Sequence, residues 1–348
     1  MNLYGLFLSE IADCVTKLKM EKFRAAQIAE WMYKRGVTGF AEMTNLPLPH
    51  RNLLQQHCST WIARNKAEQH SADGRTSKYL LAFPDGQAIE TVLMRQAYGN
   101  SVCVSTQIGC AMGCLFCAST LEGMVRNLTG GEMLYQVMHI NRLLAVVGQK
   151  VNTVVLMGSG EPLLNYEEVI RFIRLCHEPY ILGLSYRNFT LSTSGIVPAI
   201  DRLARENLPI NLAISLHAPN DALRTAIMPV NKLYPLAAVL AAVDRYAAQS
   251  GRRVTYEYTL IANMNDQESH ARELAGLLAG RLANVNLIPV NPVPEKGLGR
   301  PTLQTIARFE QILDAAGLTV TVRKEMGTDI LAACGQLRKV RSHKNPLM

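Results

Sequence analysis

The sequence has no apolar run that approaches the ~18 residues needed to cross a bilayer, so we expect no membrane partner. It also lacks a basic segment leading into an apolar stretch at its start, where Glu10 and Asp13 interrupt the hydrophobic residues. We therefore expect no signal peptide and a cytoplasmic location. With 48% hydrophobic and 18% charged residues, the composition excludes a disordered or low-complexity chain.

Acidic residues are the scarcer charged type, with 28 Asp and Glu against 36 Lys and Arg and a net charge of +8. This excess favours a polyanionic partner, because each phosphate that a cation neutralises releases a counterion. The charge is compatible with RNA but does not identify it, since many basic proteins bind nothing anionic. The length of 348 residues suits one large α/β barrel with a smaller appended domain.

Eight cysteines in a chain that we expect to be cytoplasmic argue against a disulfide scaffold and for metal or redox chemistry. Cys14, Cys58 and Cys176 lie in amphipathic, helix-like stretches, where each is predicted to be a small buried hydrophobe. The other five need a different explanation, because four fall within fifteen residues and one lies near the C-terminus. They are Cys103, Cys110, Cys114, Cys117 and Cys334.

The N-terminal part of the sequence predicts a helical domain over 1–75 and a β extension over 76–96. The first seventy or so residues have helical patterns, with helices predicted over 22–35 and 51–62. The extension consists of strands predicted over 79–83 and 88–94, joined by Pro84-Asp85-Gly86. Glu90 shares a face of the second strand with Val92 and Met94, so we expect its carboxylate to be partly desolvated.

Strand and helix patterns alternate from residue 101, and a barrel domain is predicted over 97–330, followed by a C-terminal segment over 331–348. The predicted strands are 102–107, 152–157, 188–192, 210–216, 254–260, 285–290 and 318–323, and the helices between them include 131–146, 166–175, 235–250 and 268–278. Six such units imply parallel strands with right-handed crossovers, hence an open or closed α/β barrel. In these folds the chemistry lies beyond the C-terminal ends of the strands.

Three cysteines, Cys110, Cys114 and Cys117, lie within eight residues directly after a predicted strand, so their thiolates can surround one metal centre. Structural zinc needs a fourth ligand, and the next histidine, His139, lies inside a predicted helix. A [4Fe–4S] cluster held by three cysteines instead leaves one iron open, which indicates catalysis rather than simple electron transfer. The C-x3-C-x2-C spacing closely resembles the pattern of the radical S-adenosylmethionine (radical SAM) enzymes.

A glycine-rich turn, Gly158-Ser159-Gly160-Glu161-Pro162, follows the second predicted barrel strand. Such a turn lets the backbone approach a ligand, and Glu161 can accept hydrogen bonds from a cationic amine. After a cluster loop and a strand, the turn resembles the element that binds the amino group of S-adenosylmethionine. Ser159 departs from the methionine that is common at this position in close relatives, which affects local packing rather than the backbone contact.

Several further segments resemble the RlmN/Cfr family of RNA adenine methyltransferases, in order and at family-like spacing. They are Cys103-Val104-Ser105-Thr106-Gln107-Ile108-Gly109-Cys110, Gly160-Glu161-Pro162-Leu163, Ser192-Thr193-Ser194-Gly195-Ile196, Ser215-Leu216-His217-Ala218-Pro219, Met228-Pro229-Val230-Asn231 and Ala332-Ala333-Cys334-Gly335-Gln336-Leu337. Segments 22–25 and 43–47 are similar to that family's accessory domain. The resemblance implies an incomplete (βα)6 radical SAM barrel with an N-terminal helical domain and a closing C-terminal segment.

The resemblance also implies roles for individual residues. Two molecules of S-adenosylmethionine are used per turnover: one methylates Cys334, and the other is cleaved at the cluster to give the radical that activates this methyl group. The activated carbon attacks the adenine, Cys103 releases the product by forming a disulfide with Cys334, and Glu90 accepts the proton of the ring carbon. The implied cofactor contacts are Gly160, Glu161, Ser192, Ser215, Leu216, His217 and Asn291.

Simpler interpretations of these residues stay open. Cys103 and Cys334 each fit a small packed side chain, Ser192, Ser215 and Asn291 are polar residues at strand ends, and His217 fits a hydrogen-bonded core histidine. Only their combination with the cysteine motif favours the catalytic roles.

The function that the resemblance implies is methylation of carbon 2 of adenosine in 23S rRNA, at the peptidyl transferase centre, and beside the anticodon of certain tRNAs. A monomer is expected, with a flavodoxin-type electron donor. A Cfr-type activity at carbon 8, which confers resistance to ribosome-targeting antibiotics, uses the same cysteines; Pro162-Leu163-Leu164-Asn165 favours the RlmN type. A non-catalytic RNA-binding protein with a structural Fe–S or zinc site is the alternative of another class, and Cys334 and Gly160-Glu161 argue against it.

Overall fold

Most strands of the chain join one mixed sheet in the computed structural model, which describes residues 1–60 and 62–338. Its strands are β1 (Arg64–His70), β2 (Thr76–Ala82), β3 (Ala88–Gln96), β4 (Gly99–Cys103), β5 (Gln107–Ile108), β6 (Arg126–Asn127), β7 (Val151–Leu156), β8 (Phe189–Thr193), β9 (Asn211–Ser215), β10 (Val254–Leu260), β11 (Ala283–Pro289) and β12 (Thr319–Val322). The sheet has the order β1-β2-β3-β4-β7-β8-β9-β10-β11-β12, and β5 pairs with β6 apart from it.

The α-helices cover the parallel part of this sheet and form the N-terminal domain. They are α1 (Leu8–Lys17), α2 (Arg24–Ala29), α3 (Leu48–His57), α4 (Gly130–Ala145), α5 (Tyr166–His177), α6 (Val197–Arg205), α7 (Asp221–Ile227), α8 (Leu236–Ser250), α9 (Glu268–Leu278) and α10 (Leu303–Ala315). A π-helical turn, Glu30–Lys34, extends α2. Within the described part of the chain, no helix is long and apolar enough to cross a membrane.

The barrel strands run parallel from β4 through β7 to β12, and six of the seven predicted barrel strands are present with small changes at their ends. The bounds predicted for the first strand, 102–107, were wrong: β4 ends at Cys103, and Gln107 belongs to β5, which pairs with β6 outside the main sheet. Their central residues are buried because helices cover the sheet. Helix starts follow local capping signals: Thr129 accepts a hydrogen bond from Glu132 N at the start of α4. The predicted α/β barrel is thus confirmed, with β12 as an additional edge strand.

The β extension begins earlier than predicted. Strands β1 to β4 form an antiparallel meander, and β1 occupies residues 64–70, which the sequence had indicated to be part of the helical domain. Every residue of β1 is exposed, because this edge strand pairs only with β2. Its sequence therefore lacks the alternation of apolar and polar residues that identifies a half-buried strand.

The N-terminal helices dock on α4 and α5. Arg171 of α5 donates to the Gly5 carbonyl at 2.9 Å and also binds the Glu10 carboxylate. Gly5 and Gly131 bring the backbones so close that a Cβ built on Gly5 would lie 2.4 Å from the Cα of Gly131. The helices predicted over 22–35 and 51–62 occur at 24–34 and 48–57. The part of the predicted C-terminal segment beyond residue 338 lies outside the described residues.

Candidate active site

A cleft lies at the carboxyl ends of β7 to β11, where the barrel fold concentrates chemistry. Nine predicted site residues line it: Cys110, Cys114, Cys117, Gly160, Glu161, Ser192, Ser215, His217 and Cys334. The other four are buried behind its walls: Glu90, Cys103, Leu216 and Asn291. Folding therefore brings the cysteine loop, the glycine-rich turn and the C-terminal cysteine to one place.

The loop 110–117, which carries three of these cysteines, is held by neighbouring backbone. Leu115 N donates to the Ile227 carbonyl at 2.9 Å, and just beyond the loop Ala118 N donates to the Gly335 carbonyl at 2.7 Å. Burial raises the pKa of all three thiols. Metals bind thiolates, so metal loading of this loop releases protons and is favoured by higher pH.

The donor set of this loop fits an iron–sulfur cluster. Within residues 1–60 and 62–338, no three His, Cys, Asp or Glu side chains are placed as ligands of a single metal ion. The three thiols nevertheless line one cleft, and after burial the charges of Cys117 and Cys110 are the largest causes that raise the pKa of Cys114. A [4Fe–4S] cluster is larger than one ion and needs only three thiolates when its fourth iron takes a non-protein ligand.

Gly160 and Glu161 form the turn after β7. Gly160 has a φ of +107°, and a Cβ there would lie 2.6 Å from a side-chain carbon of β5, so this close approach requires glycine. The Glu161 carboxylate accepts hydrogen bonds from Thr193 Oγ1 at 2.7 Å, Ser194 N at 2.7 Å and Leu163 N at 3.0 Å. Burial raises its pKa. A carboxylate has about four lone-pair sites, so Glu161 retains capacity for one donor in the cleft.

Ser159, the departure in this turn, keeps its backbone contacts. Its N–H donates to Ser105 Oγ at 3.0 Å, and its carbonyl accepts from Thr106 N at 2.8 Å. The Ser159 hydroxyl is buried and has no partner in the described part of the chain. The substitution therefore changes side-chain packing and leaves the turn itself intact.

Glu257 of β10 lines the cleft and was missed by sequence reasoning. Its Oε2 accepts a hydrogen bond from Ser192 Oγ at 2.6 Å, and Ser192 Oγ lies 3.5 Å from Ser215 Oγ. Its Oε1 is buried and accepts no hydrogen bond from a described residue; the nearest cation, Arg323, is 4.0 Å away. An unpaired buried acceptor in a cleft fits a ligand with hydroxyl or amine donors. A carboxylate in the middle of an apolar strand was the available signal.

His217 is both a wall of the cleft and a hydrogen-bonded core histidine. Its Nδ1 accepts from Thr259 N at 2.9 Å, and its carbonyl accepts from Asn265 Nδ2 at 2.8 Å. Its ring meets that of Phe116 edge-on, with centroids 4.7 Å apart. Burial, and then the charge of Arg224, lower its pKa to about 3. The ring is therefore neutral, and only Nε2 is free to meet a ligand.

Leu216 and Asn291 support the wall from behind. Leu216 N donates to the Glu257 carbonyl at 3.0 Å, which joins the end of β9 to β10. Asn291 Nδ2 donates to the Cys334 carbonyl at 2.9 Å and so positions that cysteine. Asn291 Oδ1 is buried and has no partner among the described residues. Direct cofactor contact by these two residues stays a prediction.

Arg224 of α7 is a fully buried cation that sequence reasoning also missed. Its guanidinium donates to five acceptors, all of them neutral. Four are backbone carbonyls, those of Ser194 at 2.6 Å, Ser215 at 3.2 Å, Leu216 at 3.2 Å and Tyr234, and the fifth is Asn231 Oδ1 at 2.8 Å. Burial lowers its pKa to about 10. Arg224 thereby ties the ends of β8 and β9, which carry the serines of the cleft, to the segment after α7.

Cys103 and Cys334 are neighbours across the wall of the cleft. Cys103 packs in a small apolar cluster with Val92, Met94, Ala332 and Leu337, so the C-terminal segment lies directly against β4. Burial raises the pKa of Cys103 to about 12, and the nearby Cys334 contributes to the rise. Burial likewise raises the pKa of Cys334 to about 11. The charge of Arg323 acts on both thiols in the opposite direction.

Glu90 is buried, as predicted, but its surroundings are not purely apolar. Lys78 Nζ lies 2.9 Å from Glu90 Oε1, with both side chains less than a tenth exposed. Glu90 Oε2 accepts a hydrogen bond from Arg338 N at 2.9 Å. Glu90 faces Leu80 across the β2–β3 pair and meets Lys78 on the diagonal, which sequence alone does not give without the register. The carboxylate therefore anchors the C-terminal segment.

Two family models match the chain. One is the radical SAM superfamily, over residues 104–275, and the other is the N-terminal domain of ribosomal RNA large subunit methyltransferases, over residues 1–60. The first match contains the loop 110–117 and the turn at 158–162. The second contains the N-terminal helices α1 to α3.

Individual relatives align over nearly the whole chain. The probable dual-specificity RNA methyltransferase RlmN of Symbiobacterium thermophilum is 52% identical over 98% of this chain and 92% of its own length. The protein of the same name from Geobacillus kaustophilus is 48% identical over 97% and 92%. A solved radical SAM methyltransferase from Sphaerobacter thermophilus is 46% identical, covers 97% of this chain and 99% of its own, and superposes with a TM-score of 0.94. The similarity includes the helical domain, the β extension and the barrel.

Proposed function

The chain belongs to the RlmN family of radical SAM RNA methyltransferases, and we propose that it methylates carbon 2 of adenosine in two kinds of RNA. One is 23S rRNA at the peptidyl transferase centre, and the other is tRNA beside the anticodon. The dual-specificity name of its relatives supports both substrates. The sequence Pro162-Leu163-Leu164-Asn165 supports carbon 2 over the Cfr-type carbon 8.

A radical SAM enzyme of this family uses a [4Fe–4S] cluster and S-adenosylmethionine. We propose that Cys110, Cys114 and Cys117 hold the cluster, which with bound S-adenosylmethionine supplies hydrogen-abstracting radical chemistry. The residues proposed to bind the cofactor are those of the facing wall and its supports: Gly160, Glu161, Ser192, Ser215, Leu216, His217, Glu257 and Asn291. A flavodoxin-type protein is the proposed electron donor.

Cys334 is the proposed methyl carrier. The observation that carries this role is its position: it lines the cleft together with the three cysteines of the loop, whereas Cys103 lies behind the wall beside it. Carbon 2 of adenine is a poor nucleophile, so direct polar transfer from a sulfonium is unfavourable. Cys334 Sγ instead takes a methyl group from the first of two S-adenosylmethionine molecules, and the activated carbon bonds to the adenine.

Product release follows from the neighbouring residues. Glu90 is the proposed acceptor of the proton from carbon 2. The adduct also returns one electron to the electron-transfer chain that supplied it. The Cys103 thiolate then attacks Cys334 Sγ, and the bond between that sulfur and the transferred carbon breaks with its electron pair going to the carbon. The carbon takes up a proton to become the methyl group, and a Cys103–Cys334 disulfide forms. An external thiol reductant restores both thiols before the next turnover. The close approach of the C-terminal segment to β4 supports this exchange.

The position of the methyl group tests this function. The reconstituted protein is incubated with S-adenosylmethionine, a reductant and unmodified 23S rRNA or tRNA, and the digested RNA is analysed by mass spectrometry. We expect 2-methyladenosine from both RNAs and none with the Cys334→Ala variant. 8-Methyladenosine would favour the Cfr-type activity instead. Absence of both products, with a cluster that does not cleave S-adenosylmethionine, would indicate a non-catalytic RNA-binding protein.

A further inference from the structure

A second cavity, of about 310 Å³, lies at the end of the barrel opposite the cleft. One side is formed by Tyr33 and Lys34 of the N-terminal domain, and the other by Val151 and Asn152 at the start of β7 and by Asn188 just before β8. The cavity lies at the start of β7 and the cleft at its end, and the six residues of this strand place the two on the order of 15–20 Å apart. A ligand in this cavity is therefore distinct from the adenosine that reacts in the cleft.

Two of the three asparagines that line this cavity have amide donors without a partner in the described part of the chain. Asn141 Oδ1 accepts a hydrogen bond from Val151 N at 3.0 Å, and Asn152 Oδ1 accepts one from Asn100 N at 2.8 Å. Because a backbone N–H can only donate, these bonds fix which end of each amide is oxygen. Both Nδ2 groups are left without an acceptor among the described residues, and both residues line the cavity.

The charges of the cavity have one sign. Lys34 Nζ donates to the carbonyls of Pro179 at 2.9 Å and Ile181 at 3.1 Å, which are neutral, and so its charge is not paired. Lys150 is exposed and forms no ion pair with any described residue. None of the eleven residues that line the cavity is acidic. Two lysines and two asparagines with free amide donors thus line one space, and none of its lining residues carries a carboxylate.

We propose that this cavity binds the phosphate group of a nucleotide, either as a free nucleotide or within an RNA chain. Phosphate oxygens accept hydrogen bonds from amides and ammonium groups and neutralise the two lysines. The cavity is larger than a phosphate group needs, and Ile181, Leu182 and Leu184 give it an apolar side for the rest of a nucleotide. This proposal does not depend on the reaction in the cleft.

Lys150 is the residue to change, because its side chain is exposed and forms no hydrogen bond or ion pair with a described residue, and its one structural contact, the carbonyl that accepts from Asn100 Nδ2 at 3.0 Å, belongs to the backbone. Binding of AMP and of a short single-stranded RNA to the full-length, cluster-containing protein is measured by calorimetry for the wild type, Lys150→Gln and Lys150→Glu. The matched control is Lys17→Gln. Lys17 is also exposed, but it is the last residue of the N-terminal helix α1 and does not line the cavity. We expect Lys150→Gln to raise the Kd about tenfold, Lys150→Glu to raise it further, and Lys17→Gln to leave it unchanged.

The two probes distinguish the two sources of phosphate. Weakened AMP binding identifies a free-nucleotide site. If AMP does not bind but RNA binding weakens for all sequences, with a salt dependence reduced by about one charge, the phosphate belongs to RNA. Equal affinities of all four proteins for both probes, or an equal loss with Lys17→Gln, would overturn the proposal. A failure of adenosine methylation would leave these binding results unaffected, so the two hypotheses are tested separately.

Discussion

At the scale of single residues, Cys103 and Cys334 lie together but have different access to the cleft. Of the two, only Cys334 lines it, which is why we propose Cys334 as the methyl carrier. We expect Cys334→Ala neither to accept a methyl group nor to attach to RNA. Cys103→Ala is expected to methylate Cys334 and attack the base, but to keep the RNA bound, because no second thiol can release it. The adduct is visible as a nuclease-sensitive shift on a denaturing gel.

The asymmetry between these two variants is the informative result. If both cysteines only pack, each alanine variant loses about 1–2 kcal/mol of stability and neither forms an RNA adduct. If both variants behave alike in the RNA assay, the methyl-carrier mechanism does not apply to this chain.

His217 makes the fold sensitive to acid. Burial lowers its pKa to about 3, so between this value and its ordinary pKa near 6.5 the unfolded chain binds a proton that the folded chain does not. The stabilisation is complete above pH 6.5 and decreases by about 1.4 kcal/mol per unit as the pH falls towards 3. His217→Asn removes this dependence, while Asn Oδ1 can still accept from Thr259 N and Asn tolerates the positive φ of 57°.

Urea unfolding at pH 6.5 and pH 4.5 measures the effect. We expect the wild type to lose about 2–3 kcal/mol more than His217→Asn over this interval. Burial also lowers the pKa of His139, but both proteins contain that residue and its contribution cancels in the difference. An equal loss in the two proteins would show that His217 is accessible to protons in the folded state.

The sequence could identify those site residues whose spacing along the chain forms a recognisable motif. Cys110, Cys114 and Cys117 are identified by their mutual spacing within one loop, and the structure places all three in the cleft. Glu257 and Arg224 belong to no local motif, because their partners come from other elements of the barrel. Lys78 could be recognised as the ion-pair partner of Glu90 only from the register of β2 and β3, which the sequence does not give.

At the scale of elements, α7 matters more than its seven residues suggest, because Arg224 links it to the ends of β8 and β9. Replacing Arg224 by Met leaves buried carbonyls without donors, and we expect a loss of about 2–4 kcal/mol in urea unfolding. Arg224→Lys should recover little of it, because an ammonium group cannot reproduce the planar fork. Arg205→Met, at an exposed site in α6, is the control and should change stability by less than about 0.5 kcal/mol. If Arg224→Lys had the stability of the wild type, the positive charge of Arg224, rather than the geometry of its hydrogen bonds, would be what stabilises the fold.

Elements were predictable where burial imposes a pattern. The parallel strand β10 is buried at six of its seven positions, and its apolar sequence gave the bounds 254–260 correctly. All seven residues of strand β1 are exposed, so its sequence does not show the alternation of apolar and polar residues that burial of one face produces. Its strand conformation comes from backbone pairing with β2, a long-range contact that composition does not encode.

At the scale of the whole molecule, the C-terminal segment joins three parts of the chain. It bonds to the β extension through Glu90, to the segment after the cysteine loop through Ala118 and Ser119, and to the segment after β11 through Asn291. Cys334 lies in the middle of these attachments. The site is therefore complete only when extension, barrel and C-terminal segment have all come together, which explains why no local sequence signal could show its geometry.

The docking of the N-terminal domain on the barrel depends on a glycine contact that can be tested in isolation. A Cβ on Gly131 would lie 2.9 Å from the Tyr4 carbonyl oxygen and 3.3 Å from the Cα of Gly5, and backbone atoms cannot move aside cheaply. Gly276, in α9, is also helical but has nothing within 4 Å of a built Cβ. Gly131 lies in the first turn of α4 and Gly276 in the last turn of α9, and at both positions alanine is the better helix former by up to about 1 kcal/mol, so the clash is the main difference between the two variants.

We expect Gly276→Ala to be neutral or slightly stabilising and Gly131→Ala to destabilise the protein by about 1–2 kcal/mol in urea unfolding. Hydrogen exchange should localise the second effect, with faster exchange in residues 1–20 and along α4 and no change in β7 to β11. The cavity between Lys34 and Asn152 also lies between the N-terminal domain and the barrel. Gly131→Ala should therefore weaken the binding of a ligand in that cavity, while the cleft keeps its geometry. Equal stability of the two variants would mean that the N-terminal helices adjust their position freely, and that the tight backbone approach does not hold the domain in place.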